Sequence, residues 1–384
     1  MLGLFIILPV FALYAVQLGG TQSHLLVGIA LGAFGITQAI LQIPFGWLSD
    51  RYGRKPVIYF GLLLFAIGSF IAAFADNIYV VILGRLIQGG GAISAVVQAL
   101  AADLTRSEHR TKAMAIIGAT IGVSFALSII LGPVLNHWIG VPGIFAATGV
   151  LALLAIVIVA MVVPNERIAD DVNPRRVDRN LLGPVLLDSQ LLRLNIGMFA
   201  LHASMTALFI VTPLMLKQSG LAPDQHWQVY LPVVLLSLVL MLPAIRRSDQ
   251  RDRDKRILVG SAAGLMVAYF VLALAGQTFW ILCLGLLLFF TAFNVLEASL
   301  PAWISKLTTA ENRGTALSVN SIFQFIGPAV GGYVSGWLLD HAGPFAVYIF
   351  CTGLAMLLWL VALPLQSLPR EQNDGKVWKV MEGR

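Results

Sequence analysis

Long apolar runs follow one another along almost the whole chain, and short polar segments separate them. A helix needs about 20 apolar residues to cross a bilayer, and the runs are close to that length. Hydrophobic residues make up 58% and charged residues 11% of the 384 positions, whereas soluble domains have about 45–50% and about 25%. A soluble fold is therefore excluded. The runs, here called spans 1 to 12, lie at about 2–18, 26–48, 56–75, 78–102, 111–135, 143–163, 191–216, 226–245, 256–276, 278–303, 313–338 and 343–365.

The spans form two sets of six, which a polar segment with many charges separates. We therefore expect an all-α membrane protein with twelve transmembrane helices in two six-helix halves. The first half should cover residues 1–163 and the second half residues 191–366. We expect a cytoplasmic linker at 164–190 and a cytoplasmic tail at 367–384, which is too short to bury a core of its own.

Basic residues lie almost entirely on one side of the predicted membrane. Of the 25 Lys and Arg residues, 23 fall in the linker, the tail or the loops that follow even-numbered spans. Lys217 lies on the opposite side, and Arg85 lies within span 4. Cytoplasmic loops collect Lys and Arg, so we expect both termini in the cytoplasm. The net charge of +6 thus reflects membrane topology, and we expect no nucleic-acid partner.

The residues that enzymes and metal sites use are scarce. Both cysteines, Cys283 and Cys351, lie inside apolar runs, which argues against a disulfide or a metal ligand. The chain has no His-Glu-x-x-His and no Gly-x-Ser-x-Gly motif. We therefore expect neither an enzyme nor a bound metal or cofactor.

A charged hinge joins spans 2 and 3, where residues 46–56 read Gly-Trp-Leu-Ser-Asp-Arg-Tyr-Gly-Arg-Lys-Pro. Gly46 and Asp50 are four residues apart and share one face of a helix, so another helix can approach closely beside a carboxylate. Gly53 permits a tight turn. Three basic residues lie at the expected membrane edge: Arg51, Arg54 and Lys55.

This pattern, Gly-x-Leu-x-Asp-Arg-x-Gly-Arg-Lys, resembles the signature between spans 2 and 3 of the major facilitator superfamily of secondary transporters. The amino-acid sequence of the spans is similar to that of drug:proton antiporters of the superfamily over nearly the whole chain. The resemblance implies the major facilitator fold and transport by alternating access. It also implies a gate built from Gly46, Asp50, Arg51, Gly53, Arg54, Lys55 and Asp103.

The resemblance gives the gate its expected contacts. Asp103 ends span 4, where the superfamily places an acid that pairs with the last arginine of the signature, here Arg54. Asp50 would face the start of span 11 near Arg313, because a helix N-terminus favours a carboxylate. These contacts would close the cytoplasmic side in the outward-open state. The alternative for Asp103 is an ordinary solvated residue at a helix end.

An internal repeat relates the two halves. Residues 104–110 match residues 307–313 in Leu, Thr, Glu and Arg, at an offset of 203. The match pairs span 4 with span 10 and span 5 with span 11, as in transporters with two parallel halves. The loop at 243–249 lacks both glycines of the signature, so any gate there is asymmetric. Span 11 carries Gly-Pro-Ala-Val-Gly-Gly at 327–332, which resembles an element that the superfamily usually carries in span 5 and that is associated there with antiporters; otherwise it is a glycine-rich packing face. In span 5 only Gly132-Pro133 remains of this element, and this departure argues against the antiporter subtype.

Few ionisable residues lie inside the spans, where a charge is costly and commonly functional. His202 lies near the middle of span 7 and Glu297 lies in span 10. We expect them to couple transport to protons, with Glu297 as the primary carrier and His202 as a relay or a structural residue. In span 4, Arg85 and Gly89 resemble a motif of proton-coupled members, although Arg85 could instead snorkel to the membrane edge.

The leading hypothesis is proton-coupled export of small amphipathic or drug-like compounds by a monomer in a bacterial inner membrane. Its partners would be a small-molecule substrate, protons and the lipid bilayer. Alternatives are a proton symporter for uptake, a polytopic membrane enzyme and a sensor that has lost transport. The candidate cavity residues are Phe34, Gln38, Met205, Phe209, Phe293 and Asn294.

Overall fold

The computed structural model describes residues 2–18, 23–91, 93–105, 109–164, 179–248, 254–308 and 312–366. These residues are almost entirely helical, and nine stretches among them are long and apolar enough to cross a membrane. The predicted all-α membrane fold is therefore confirmed. The helices are α1 (Leu2–Phe5), α2 (Leu8–Ala15), α3 (His24–Tyr52), α4 (Arg54–Ala73), α5 (Ile78–Gly89), α6 (Ser94–Asp103), α7 (Arg110–Val162), α8 (Arg179–Leu187), α9 (Ser189–Gln218), α10 (Trp227–Ser248), α11 (Asp254–Ala275), α12 (Phe279–Leu307) and α13 (Arg313–Ala362).

Helices α7 and α13 are each long enough for two membrane crossings. They contain 53 and 50 residues, or about 75–80 Å at about 1.5 Å per residue, whereas the hydrocarbon core is about 30 Å thick. Each is sharply kinked at a glycine in the left-handed region, Gly140 with φ 67° and Gly343 with φ 78°. A residue with a side chain would be strained at such a positive φ. The kink at Gly140 falls between predicted spans 5 and 6, and the kink at Gly343 falls at the first residue of predicted span 12, after span 11 has ended.

Predicted spans 1 and 4 are each built from two shorter helices. Span 1 contains α1 and α2, of 4 and 8 residues. In span 4, α5 begins after Asn77, whose side chain accepts a hydrogen bond from the amide of Val80 at 3.0 Å. It ends at Gly89, and α6 begins at Ser94. The number of twelve crossings and the domain boundaries stay predictions, since most of the linker and the whole tail lie outside the described residues.

Glycines bring α3 and α13 into close contact at one end of the molecule. A Cβ on Gly28 would meet the backbone carbonyl of Gly332, and a Cβ on Gly32 would lie 2.7 Å from the Cα of Ala329. A Cβ on Gly336 would lie 2.8 Å from the Cα of Leu25. Only glycine permits this approach, so the two halves interlock along these surfaces.

Space is open at the opposite ends of the same two helices. A Cβ built on Gly46 of α3 or on Gly314 of α13 would meet no atom within 4 Å. The contact between α3 and α13 is therefore concentrated on residues 24–35 and 325–340. The charged hinge at Gly53, which has φ 91° and joins α3 directly to α4, lies at the open end.

Candidate functional site

Three side chains from three helices of the second half meet at one point. Nε2 of His202 on α9 lies 3.5 Å from Oε2 of Glu297 on α12. Nε2 of Gln324 on α13 lies 3.0 Å from Nε2 of His202 and donates to Oε1 of Glu297 at 3.2 Å. The sequence indicated His202 and Glu297 but not Gln324. The His202 side chain is 4% exposed and the Glu297 side chain 28% exposed, so the site is enclosed but reachable.

A glycine allows α13 to bring Gln324 to this site. A Cβ on Gly327 would lie 2.7 Å from the carbonyl oxygen of Phe199 and 3.1 Å from Cβ of His202. Glycine here lets α13 pack directly on α9, and Gln324 lies about one turn earlier on α13. The Gly-Pro-x-x-Gly-Gly element therefore does more than pack two helices, because it also positions a polar side chain.

The hydrogen-bond partners of the imidazole indicate which ring nitrogen carries the proton in its neutral form. An amide nitrogen only donates, so Nε2 of His202 accepts from Gln324. The proton of a neutral ring then lies on Nδ1, which donates to the carbonyl oxygen of Met198 at 3.2 Å. Oε2 of Glu297 is buried and accepts no hydrogen bond from the described residues. The arrangement leaves an acceptor beside the imidazole where a proton can bind.

Aromatic rings from both halves cover the site. Phe293, four residues before Glu297, has its ring 6.0 Å from the His202 ring. It also stacks on Phe125 of α7, with centroids 5.3 Å apart, and Phe125 contacts Phe5 at 5.0 Å. The site thus lies next to an apolar contact between the two halves, which the sequence did not indicate.

Most of the proposed cavity residues are buried in the structure. Five of the six are no more than 5% exposed, namely Phe34, Gln38, Met205, Phe209 and Phe293. Asn294 is partly exposed, and its amide donates to Oγ of Ser237 at 3.1 Å. Their role in substrate binding stays a prediction, since a substrate would reach the buried five only after the helices move.

Part of the expected gate is present within the first half. Arg54 forms an ion pair with Asp50, and its Nε lies 3.1 Å from Oδ2 of Asp103. Its Nη1 also donates to Oγ of Ser49 at 2.7 Å. The recorded partner of Arg313 is the carbonyl oxygen of Ser305, at 3.1 Å, rather than Asp50.

The remaining gate residues have different surroundings. The guanidinium of Arg51 lies over the rings of Trp47 and Tyr52, at 5.8 and 5.5 Å. Lys55 donates to the carbonyl oxygen of Val163 at 2.6 Å and so ties α4 to the end of α7. Gly46 faces open space. Arg51, Lys55 and Gly46 thus lie at the edge of the hinge, while the ion pairs described above form among Asp50, Arg54 and Asp103.

The second half has a similar pair with the charges exchanged. Asp254, the first residue of α11, lies 3.2 Å from Nζ of Lys306 near the end of α12. Arg54 is likewise the first residue of α4 and pairs with Asp103 at the end of α6. Lys306 follows Asp103 by 203 residues, the offset of the internal repeat. The equivalent positions therefore carry opposite charges.

Arg85 is buried inside the first half and does not reach the membrane edge. It is 1% exposed, its Nη1 donates to Oε1 of Gln88 at 2.6 Å, and its guanidinium lies 4.8 Å from the centre of the Phe34 ring. A Cβ on Gly89 would lie 3.0 Å from the Cα of Phe34. Gly89 therefore permits the close packing that holds Phe34 against Arg85.

At the closed end, Asp340 of α13 binds the first turn of α3. Its carboxylate accepts hydrogen bonds from the amides of His24 and Leu25, both at 2.9 Å, and from Oγ of Ser23 at 3.2 Å. Burial opposes the charge, but the amide hydrogen bonds and the nearby His24 ring together hold the pKa of Asp340 below its usual range. The charged form of Asp340 thus favours this contact.

The apolar helices, the buried ionisable site and the charged hinge between α3 and α4 are typical of a polytopic membrane transporter. The sequence matches the Major Facilitator Superfamily at residues 1–292 and 194–379. The chain therefore belongs to this superfamily and is a multi-pass membrane protein, not an enzyme.

Individual proteins support this assignment. The chain is 41% identical to the inner membrane transport protein YajR of Escherichia coli K12, over 96% of this chain and 81% of the relative. It is 26% identical to the quinolone resistance protein NorA of Staphylococcus aureus COL, over 97% and 96% of the two chains. A crystal structure of a D-xylose-proton symporter shares the fold, with a TM-score of 0.75, 18% identity and coverage of 96% and 95%.

Proposed function

We propose that the protein is a proton-coupled transporter that exports small amphipathic compounds by alternating access, as a monomer in a bacterial inner membrane. The observation that carries the proposal is the buried Oε2 of Glu297, which accepts no hydrogen bond from the described residues and lies 3.5 Å from Nε2 of His202. Burying the charge of an ionisable group inside a transmembrane bundle costs free energy, and such groups are commonly functional. A proton is the smallest ligand that removes that cost.

The distribution of basic residues supports one orientation of the protein in the membrane, and the packing of the two ends supports an inward-facing conformation. We infer that the end with Asp50 and Arg54 faces the cytoplasm, because 23 of 25 basic residues lie on that side. The interlocked end with Gly28, Gly332 and Asp340 then faces the periplasm. This arrangement corresponds to an inward-facing state, in which Glu297 is wetted from the cytoplasm.

The proton cycle follows from the burial of the carboxylate. In the outward-facing state Glu297 takes a proton from the periplasm, where a proton gradient makes binding more frequent. Protonation removes a buried charge and so lowers the cost of closing the cavity around Glu297. The proton then leaves to the cytoplasm when the inward-facing state forms. The substrate is exported when the protein returns from the inward-facing to the outward-facing state. The proton and the substrate therefore use the same conformational change in opposite directions.

Aromatic side chains support an amphipathic substrate. Phe293, Phe125 and Phe5 form a continuous aromatic cluster beside a carboxylate and an imidazole. Apolar walls with a few polar groups are typical of small-molecule sites. Export is favoured over uptake because the relatives include NorA, whose name records quinolone resistance.

The test is transport in proteoliposomes with an imposed pH gradient, using a fluoroquinolone and a fluorescent lipophilic cation as probes. Glu297→Gln should still bind and exchange a probe but should lose accumulation driven by the gradient. Glu297→Asp, which keeps a carboxyl group, should retain part of it. Full gradient-driven accumulation by Glu297→Gln would exclude Glu297 as the carrier, and uptake with the proton rather than against it would establish symport.

A further inference from the structure

Gln324, whose side chain does not titrate, contacts both titratable residues of the site, His202 and Glu297. The amide nitrogen of Gln324 lies 3.0 Å from Nε2 of His202 and 3.2 Å from Oε1 of Glu297. Its two N–H bonds match these two acceptors. A third acceptor, Oε2 of Glu297, is buried and receives no hydrogen bond from the described residues.

We propose that Gln324 is a positioning residue that directs the coupling proton to Oε2 of Glu297 and keeps His202 neutral throughout the cycle. The inference rests on the proposed proton coupling and deepens it, because it decides between the two titratable groups. It assigns no chemistry to Gln324 itself, which neither gains nor loses a proton.

The argument compares the positions where an added proton could bind. A proton on Nε2 of His202 would face an N–H of Gln324, so binding there requires that hydrogen bond to break. A proton on Oε1 of Glu297 weakens the second hydrogen bond, because a hydroxyl oxygen accepts less strongly than the carbonyl oxygen that Oε1 becomes when Oε2 carries the proton. A proton on Oε2 leaves both hydrogen bonds in place, and Oε2 itself lies 3.5 Å from Nε2. The incoming proton forms one O–H bond, no other proton moves, and the carboxylate loses its charge.

The neighbours of the pair fit this assignment. Nδ1 of His202 already donates to the carbonyl oxygen of Met198, which fixes the tautomer from the other side of the ring. The recorded ion pairs of the described residues bring no Lys or Arg to Glu297 and no other acid to His202. From α12, the ring of Phe293, which does not titrate, lies 6.0 Å from the His202 ring. Gln324 is therefore the group that distinguishes the two sites.

The first test uses ¹⁵N NMR of the histidine rings of the full chain in lipid nanodiscs, with His202→Asn to assign the signal. In the native chain, His202 should stay neutral with its proton on Nδ1 from pH 5 to pH 8. In Gln324→Met, which keeps the length of the side chain and removes its N–H groups, His202 should gain a proton within this range. Titration of His202 in the native chain, or an unchanged His202 in Gln324→Met, would overturn the proposal.

The second test is the rescue of transport in the proteoliposome assay. Glu297→Gln should lack gradient-driven accumulation, and Glu297→Gln with Gln324→Met should regain part of it, because His202 can then bind the proton. A further His202→Asn change should abolish the recovery. Gln324→Met alone should move the pH profile of transport about one unit towards higher pH, because the hydrogen bonds to the unprotonated groups are lost. No recovery in the double variant would contradict the proposal.

A matched control separates positioning from packing. Asn320 lies one turn before Gln324 on α13, and its amide donates to Oδ1 of Asn195 on α9 at 3.1 Å. Asn320→Ala removes a buried hydrogen bond between the same two helices but leaves His202 and Glu297 untouched. It should neither change the His202 signals nor rescue Glu297→Gln. If Asn320→Ala acts like Gln324→Met, the effect is one of packing and the proposal fails.

The two proposals can fail separately. An infrared carboxyl band that Glu297→Gln removes reports protonation of Glu297 without any transport. If the band titrates and His202 stays neutral but no gradient drives transport, proton coupling fails and the role of Gln324 stands. If transport is proton-driven but His202 takes the proton, the role of Gln324 fails.

Discussion

Nδ1 of His24 lies 2.8 Å from Oδ1 of Asp340, and this contact joins the first half of the chain to the second. The carboxylate also receives the amide hydrogen bonds of the first turn of α3. A helix N-terminus favours a negative charge, so Asp340 stabilises both α3 and the interlocked end of the molecule, which we propose to be the periplasmic end.

The closed periplasmic end should depend on the ionisation of Asp340. Because its pKa is lowered in this state, its contribution is fully present above the usual carboxyl pKa of about 4 and is lost as the pH falls through the lowered pKa. We expect no change from this group between pH 5 and pH 8, and a shift towards open periplasmic ends in stronger acid. Distances between spin labels across that end measure the shift.

Asp340→Asn should reproduce the acid effect at neutral pH. The loss of charge should cost the closed state about 1 kcal/mol, or about a fivefold change in the ratio of closed to open molecules. Asp188→Asn is a suitable control, since Asp188 caps the helix that directly follows it, α9. An unchanged distance distribution in Asp340→Asn would contradict the assigned role.

The glycine contact between α3 and α13 gives a steric prediction. Gly332→Ala would place a methyl group against the backbone carbonyl of Gly28, so the closed periplasmic end should be destabilised by about 1–3 kcal/mol. Gly353→Ala on the same helix is the control, because a Cβ there meets no atom within 4 Å. The same spin-label distances should change in the first variant and stay unchanged in the second.

The charged hinge should favour the outward-facing state. The contacts among Asp50, Arg54 and Asp103 are already present here, so we expect the additional contribution, about 1–3 kcal/mol, to come from Asp50 meeting the start of α13 near Arg313 when the cytoplasmic end closes. Asp50→Asn should therefore increase the inward-facing population and slow transport. Arg51→Gln, which removes a guanidinium packed on Trp47 and Tyr52, should have a smaller effect. Equal populations in Asp50→Asn and the native chain would exclude a gating role.

The topology can be tested by cysteine labelling from outside the cell. A cysteine at Ser23 should react with an impermeant reagent, because Ser23 precedes α3 at the proposed periplasmic end. Cysteines at Gln250 and Gly375, which lie outside the described residues, should react only after the membrane is opened. External labelling at Gln250 would refute the proposed orientation.

The sequence predicts the helices well because burial in a bilayer requires long apolar runs. Span 2 was predicted at 26–48 and α3 covers His24–Tyr52. His202 and Glu297 were also predictable, since a titratable residue inside an apolar run is conspicuous. Gln324 was not, because an amide in a span gives no such signal and its importance comes from two partners 27 and 122 residues away.

Other features depend on contacts that no local pattern contains. In the sequence, Phe125 does not differ from the other apolar residues of its span, although its ring stacks on Phe293 in the other half. The pair of Asp254 and Lys306 was not predictable from the signature, because this pair forms without the glycines of the signature. Which end of the molecule is closed depends on packing between α3 and α13, two helices that are far apart in the sequence.

The opposite charges of Asp103 and Lys306 are each neutralised inside their own half. Arg54 pairs with Asp103 in the first half, and Asp254 pairs with Lys306 in the second half. The duplicated architecture thus keeps one pair of opposite charges between two helices of each half, while the helix that carries the acid differs. The charge balance of each half therefore depends on both members of its own pair, and a change at one member calls for a compensating change at the other.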